Sequence, residues 1–364
     1  MPRLLYVNYV YDRELSSPED LLARYVTVSG TAEALASEGV DITVLQRFHR
    51  DARVDRNGVA YVFHADRLRP GLGRWDIPWD FHRAARRLEP TLVHANGLTF
   101  PLQLRALRSA LPATTRLIAQ DHAGAPSRRL RVLHRWCFAP IDAFVFTTRD
   151  QAKPWLDAGV ISPRQPIYEI TEGSTLFRRT DRAAARARTG LTGSPVVLWV
   201  GRLIALKDPV AVVQGFLSVL SEAPGARLYM VYTDDTLRSA LPDHPAITLL
   251  GSRPHAELQD IYSSADYFVL GSHSESGGYS LLEAMACGVV PVVSDIPSFR
   301  RIVGASGEVW APGDPTAFAA AFRRAMSRPL PEASEATAAD FERRLSFAAI
   351  ARDLVRAYRS VSSL

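Results

Sequence analysis

Short apolar runs alternate with helix-period segments along nearly the whole of this 364-residue chain, and few architectures accept that alternation. An apolar run of about five residues suits a strand covered on both faces, and a helix between two such runs lets them lie parallel. In the first half the expected strands are Leu4 to Asn8, Asp41 to Leu45, Ala60 to Phe63, Leu92 to Ala95, Leu117 to Gln120 and Ala143 to Phe146. In the second half they are Val196 to Val200, Arg227 to Tyr232, Ile247 to Leu250, Tyr267 to Leu270 and Val289 to Val293. A helix from Leu21 to Ser37, stopped by Gly39, fills the first interval. The predicted fold class is α/β, with two Rossmann-like doubly wound sheets in tandem.

A chain of this length exceeds what one hydrophobic core usually serves, so two domains are expected. Residues 1–172 form the first, after a strand-like Ile167 to Ile170, and residues 173–346 the second. The charged stretch Arg178 to Arg188, ended by Gly190, reads as a polar helix opening the second domain. Residues 347–364 make a closing amphipathic helix, in which Ile350, Leu354 and Tyr358 recur at helical spacing. Hydrophobic content of 47% with 22% charged residues is ordinary globular composition. No run of about 18 apolar residues occurs, and the N-terminus reads as a strand rather than a signal segment. The expected location is the cytoplasm. Cys137 and Cys287 have neither metal-ligand spacing nor a disulfide framework and are expected to be buried apolar residues.

A formal charge of +5 permits an anionic ligand and falls short of a nucleic-acid footprint. The positive charge is almost all arginine; lysine stands only at 153 and 207. In such a chain a retained lysine points to a site needing a compact charge, or simply survives an arginine-rich composition.

Doubly wound sheets bind ligands beyond the carboxyl ends of their strands. The loop Gly201-Arg202-Leu203-Ile204-Ala205-Leu206-Lys207-Asp208-Pro209 follows a buried strand and opens a helix. Its Arg202 and Lys207 can grip a diphosphate, one as a planar fork and one as a point charge, or be ordinary surface cations. The loop Gly271-Ser272-His273-Ser274-Glu275-Ser276-Gly277-Gly278-Tyr279-Ser280 runs from a strand into a helix whose first amides make an anion site. Glu275 in the turn and Glu283 in the helix can serve two ends of one ligand, Glu275 near phosphate and sugar, Glu283 towards a ribose. A loop cap and a helix-surface charge are the plainer alternatives.

The segment Glu275-Ser-Gly-Gly-Tyr-Ser-Leu-Leu-Glu283-Ala-Met-Ala-Cys-Gly288 resembles the signature of the family 4 retaining glycosyltransferases, which have the GT-B fold. Gly201-Arg202 and Lys207 resemble that family's phosphate-binding loop, and Val290 to Asp295 the strand after its signature helix. The resemblance implies two Rossmann-like domains facing an interdomain crevice, with the closing helix crossing back to the first. It implies a nucleotide-sugar donor, UDP- or GDP-linked, held by Gly201, Arg202, Lys207, Arg253, Glu275, Ser276, Gly277, Gly278, Tyr279, Ser280 and Glu283. His122, in Gln120-Asp121-His122-Ala123-Gly124, resembles the family's histidine near the donor sugar and joins Glu275, Arg202 and Lys207 as a catalytic residue. Asn96 ends another strand and faces the acceptor or serves the fold. Where the family has a Gly-Gly turn after its first strand, this chain has Asn8 to Pro18, and Tyr9, Tyr11 and Arg13 are assigned to the acceptor side.

The expected activity is therefore retaining transfer of a sugar to a hydroxyl acceptor, of small-molecule, glycan or lipid type. The resemblance implies attack on the face the leaving group departs from, and no double-displacement nucleophile is evident. No Asp-x-Asp triplet occurs, so no metal or other cofactor is expected. Arg202, Lys207 and the helix start at Gly278 to Ser280 would stabilise the leaving group. A catalytically silent sugar-nucleotide-binding protein and a GT-B nucleotide-sugar epimerase are the alternatives. The stretch holding Arg67, Arg69, Arg74, Trp75, Trp79, Phe81, Arg83, Arg86 and Arg87 also fits a membrane surface. An amphipathic helix with a solvated arginine face accounts for it more simply.

Overall fold

The computed structural model describes residues 2–122 and 124–363. It divides into two units, one running up to Ser174 and resuming from Phe347, the other Thr175–Ser346.

The first unit carries an eight-stranded sheet: β1 Arg3–Asn8, β2 Asp41–Phe48, β3 Ala52–Arg56, β4 Val59–Ala65, β5 Leu92–Asn96, β6 Arg116–Gln120, β7 Ala143–Phe146 and β8 Ile167–Glu169. Their order is β3-β4-β2-β1-β5-β6-β7-β8, parallel except for β3 against β4. The order reverses between β1 and β5, where Leu4 pairs with Leu92 and Val7 with Ala95. Asn8 and Asn96 therefore emerge side by side at the switch point, where such sheets open a crevice.

The closing helix Phe347–Ser362 packs on helix Val26–Ser37 of this unit. Its buried stripe includes Ile350, Leu354, Tyr358 and Val361, each worth about 1.5–3 kcal/mol of burial. Tyr358 also reaches the sheet, its hydroxyl 2.6 Å from Nδ1 of buried His94 on β5.

Local chemistry departs from the expected helix at 21–37. Ser17 caps an earlier start by accepting from the Asp20 amide, with Pro18 in the first turn. Tyr25, at φ −101° and ψ 59°, leaves helical geometry and separates Pro18–Arg24 from Val26–Ser37. Likewise the polar helix after the first sheet begins at Arg182, where Asp181 caps the Ala184 amide.

The second unit carries β9 Val196–Gly201, β10 Arg227–Tyr232, β11 Ile247–Gly251, β12 Tyr267–Leu270, β13 Val290–Ser294 and β14 Glu308–Trp310. This wholly parallel sheet has the order β11-β10-β9-β12-β13-β14 and reverses between β9 and β12. Its core strands are continuous apolar runs, as burial on both faces requires. Both cysteines are free and buried, Cys137 in the first unit and Cys287 in the second. Among the described residues no helix is long and apolar enough to cross a membrane.

Candidate active site

At the switch point of the second sheet, the loops after β9 and β12 are tied together. The His273 amide donates to the Leu206 carbonyl at 2.9 Å, and His273 Nε2 lies 3.3 Å from Asp208 Oδ2. Asp208, at φ +40°, caps helix Pro209–Ser218 through the Ala211 amide. Gly271 permits this approach, because a Cβ there would stand 2.8 Å from the Asp208 carbonyl oxygen.

Across the junction the Lys207 ammonium contacts Glu275 Oε1 directly, and the Ser272 hydroxyl donates to the same oxygen at 2.8 Å. Ser272 is in turn fixed by Ser294 of β13, whose hydroxyl contacts its carbonyl at 2.5 Å. Lys207 and Glu275 side chains are only 15% and 14% exposed, so the pair is screened less than a surface bridge. A lysine that sequence alone leaves as either site or survivor thus sits against the signature glutamate.

Gly278 follows, at φ +58°, with Phe299 and Ile302 3.0 and 3.2 Å from where a Cβ would lie. It is the N-cap of helix Tyr279–Ala286, whose first-turn amides, from Tyr279 and Ser280, belong to the set that no helix can satisfy internally. Glu283 lies one turn from the far end of that helix. Its Oε1 is 3.3 Å from His255 Nε2, while His255 also rests on the Phe177 ring at 4.9 Å. Burial first, and the Glu283 charge second, hold the Tyr262 hydroxyl well above its ordinary pKa. His255, not singled out from sequence, gives no motif signal: it is 28 residues from its partner. Arg202 is exposed beyond Gly201, the last residue of β9, and contributes to holding the Asp234 carboxyl low after the Thr236 hydroxyl and amide. Arg253 is exposed just before helix His255–Ser264, 3.9 Å from Glu257 in that helix's first turn.

The first unit holds a separate cavity of about 300 Å³ at its own switch point. Asn8 from β1, Asn96 from β5, His122 after β6 and Glu172 line it, with Tyr9 and Tyr25. The Asn96 amide donates to Asn8 Oδ1 at 2.6 Å, and Asn96 Oδ1 faces His122 Nε2 at 3.2 Å. The other ring nitrogen, Nδ1, lies 3.4 Å from Glu172 Oε2. Glu172 is buried, and sequence reasoning placed it at a domain boundary rather than beside His122. Next to His122, burial pushes the Asp121 carboxyl up to about 6, against a hydrogen bond from the Gly124 amide at 2.9 Å. Ala123 of the same segment lies outside the described residues.

Of the three loop residues assigned to the acceptor side, the structure brings only Tyr9 to this cavity. Its hydroxyl points inward to His82 Nε2 at 3.1 Å, and burial holds its pKa far above 10. Tyr11 is buried against Phe48, ring centroids 5.6 Å apart, and does not line the cavity. Arg13 is exposed and does not line it either. The loop is braced instead by buried Arg47, which bridges Asp66 at 2.6 Å and the Tyr9 carbonyl at 2.8 Å. Among the described residues no group of three or more His, Cys, Asp or Glu side chains could hold a metal ion.

Two family models match the chain. One, a glycosyl transferase 4-like domain, covers residues 25–167; the other, glycosyl transferases group 1, covers residues 194–328. A D-inositol 3-phosphate glycosyltransferase of Geodermatophilus obscurus is 32% identical over 231 residues, which is 56% of this chain and 50% of that protein. The chain spans about half the length of the curated relatives it matches. Among solved structures, the sucrose-phosphate synthase of Thermosynechococcus elongatus superposes with TM-score 0.67 at 18% identity, covering 99% of both chains. The Anabaena protein HepE, solved with UDP and glucose, superposes with TM-score 0.68 at 14% identity, covering 99% of this chain and 100% of that one. These likenesses show the fold, which is GT-B. The chain belongs to the family 4, or group 1, glycosyltransferases.

Proposed function

We propose that this protein transfers a sugar, with retention of anomeric configuration and without a metal, from a nucleotide-diphosphate donor to a hydroxyl of an uncharged acceptor. The observation that carries the reading is the Lys207–Glu275 pair, held by two knitted loops at the switch point of the second sheet. Lys207, Arg202 and the amides opening helix Tyr279–Ala286 then face the diphosphate, where positive charge and aligned N–H groups favour the departing nucleoside diphosphate. Glu275 accepts hydrogen bonds from sugar hydroxyls, and Glu283 serves the ribose. The donor is UDP- or GDP-linked, as the family resemblance implies.

In the transfer, the acceptor oxygen bonds to the anomeric carbon as the carbon–oxygen bond to phosphate breaks. The bonding pair leaves with the phosphate, and the acceptor proton passes to that departing oxygen on the same face. His122, steadied by Asn96 and Glu172, orients hydroxyl groups in the first unit.

The cavity around His122 supports an uncharged acceptor. No Lys or Arg lines it among the described residues, while Glu172 adds a carboxylate. A phosphorylated acceptor would enter without a counter-charge. That sets the chain apart from the relatives named for D-inositol 3-phosphate.

Incubation with UDP-glucose and GDP-mannose, with and without an acceptor panel, tests the proposal by mass spectrometry and by proton couplings at the new anomeric centre. Transfer with the donor's configuration kept is expected. Donor binding without transfer or hydrolysis would make the protein a silent binder, and an inverted product would remove the same-face mechanism.

A further inference from the structure

Trp75, Trp79, Val132 and Trp136 are 70%, 53%, 78% and 51% exposed. Large apolar side chains are normal when scattered singly, but these are gathered on one side of the first unit. Helix Trp79–Arg87 packs on helix Pro101–Ala110, which packs on helix Arg131–Phe138. From the middle helix, the Gln103 amide donates to the carbonyls of Gly73 and Asp76 at 3.1 and 2.9 Å, fixing the loop that carries Trp75. Arg74 of that loop lines one cavity with Leu130 and His134, so it adjoins the third helix. Arg105, also from the middle helix, lies 4.5 Å above the Trp136 ring. Val132 and Trp136, four residues apart, share a side of their helix.

The unpaired charge on this face is positive. No Asp or Glu occurs between Thr91 and Gln120, or between Gly124 and Ile141. Two nearby acids are committed: Asp76 to Arg69 and the Gly73 amide, Asp80 to Arg83. Arg74, Arg86, Arg87, Arg128, Arg131 and Arg135 are exposed, and none of them pairs with a carboxylate among the described residues. Indole rings and an exposed valine rimmed by unpaired arginines are complementary to a surface that is anionic outside and apolar beneath. A nucleic acid meets the charge and not the valine, and one face of Trp136 is already taken by Arg105 rather than open to a base.

We propose that this face docks on an anionic lipid bilayer, with the three tryptophans and Val132 at headgroup level and the arginines against lipid phosphates. The inference stands whatever sugar the protein transfers. It reverses the simpler reading of the Arg67 to Arg87 stretch, because the structure adds the helix Arg131–Phe138 to the same face.

Co-sedimentation with two vesicle types tests it: phosphatidylcholine alone, and phosphatidylcholine with about one third phosphatidylglycerol. Partition into the mixed vesicles is expected to be at least about tenfold stronger and to fall as salt rises. Each of Arg131→Ser and Arg135→Ser should weaken it about fivefold, and Trp136→Ser about threefold or more, with unchanged melting temperatures since all three side chains are exposed. The salt series uses the unaltered protein and needs no variant. Equal partition into both vesicle types, no binding to either, or variants that bind like wild type would overturn the proposal. So would tight binding to single-stranded RNA, lost in the arginine variants, with no binding to the mixed vesicles.

Discussion

Replacing Lys207 by alanine tests the donor site most directly. The lysine is the sole partially buried ammonium placed against the signature glutamate, and only one other lysine exists in the chain. Its loss acts twice on a diphosphate. One charge-assisted contact disappears, worth about 1.5–3 kcal/mol. The Glu275 carboxylate, only 14% exposed, also keeps its charge beside the incoming anion without the ammonium that balanced it. At about 1.4 kcal/mol per decade, the first effect alone weakens nucleoside diphosphate binding roughly tenfold to a hundredfold. The parent nucleoside, which presents no phosphate, should stay within about threefold. Titration calorimetry of both ligands with wild type and Lys207→Ala separates these outcomes. The double variant Lys207→Ala/Glu275→Ala should regain part of the lost diphosphate affinity, since the stranded carboxylate is gone. Equal losses for nucleoside and nucleoside diphosphate would falsify the phosphate role, and a double variant weaker than Lys207→Ala would remove the repulsion argument.

Glu275→Ala should lower transfer at least about a hundredfold with the melting temperature kept, because a loop carboxylate supports little of the core; near-wild-type turnover in a coupled nucleoside diphosphate assay would exclude it from the site. Asp121 has its carboxyl raised from 3.8 to about 6 in the folded state, so the stability gained from its protonation is complete below pH 3.8 and is lost as pH rises through about 6. Asp121→Asn should cancel that fall, worth about 3 kcal/mol, and urea midpoints at pH 4 and pH 7 that shift in parallel with wild type would refute it. Excess EDTA should leave turnover within about threefold, whereas complete loss restored by manganese or magnesium would disprove metal independence. Offered a free sugar alcohol and its phosphate ester at equal concentration, the enzyme should favour the free alcohol by about tenfold or more; preference for the ester would show that a cation reaches the acceptor after all.

What could be read in the sequence was what physics makes repetitive. Continuous apolar strands such as Val196 to Val200 and Tyr267 to Leu270 announce burial on both faces, and the loops after them stand where a doubly wound sheet is expected to hold a ligand. The elements that escaped obey weaker signals. β3 alternates half-buried and exposed positions at a sheet edge, and only the Asn57-Gly58 pair between it and β4 marks a hairpin. β14 has three residues, too few to show a period. In the site, Lys207 and Glu275 were each singled out, but their contact spans 68 residues and follows from sheet order alone. His122 and Glu172 meet across the sheet for the same reason, and no spacing rule links them. An aromatic in a polar loop, as Tyr11 is, reads as a ligand contact, and nothing in the local sequence announces that its ring packs in the core over Phe48.

The closing helix has a consequence for how the protein is made. The second unit lies wholly between Thr175 and Ser346, so its chain is complete before the ribosome has released Ile350, Leu354 or Tyr358. The first unit, though translated earlier, lacks until then the side chains that cover helix Val26–Ser37 and the Tyr358 hydroxyl that meets His94. During synthesis its exposed apolar flank must wait through the entire interval that the later unit occupies. The order of translation and the order of completion are therefore inverted: the half that begins first is the half that finishes last, and it is the one whose nascent form most needs shielding.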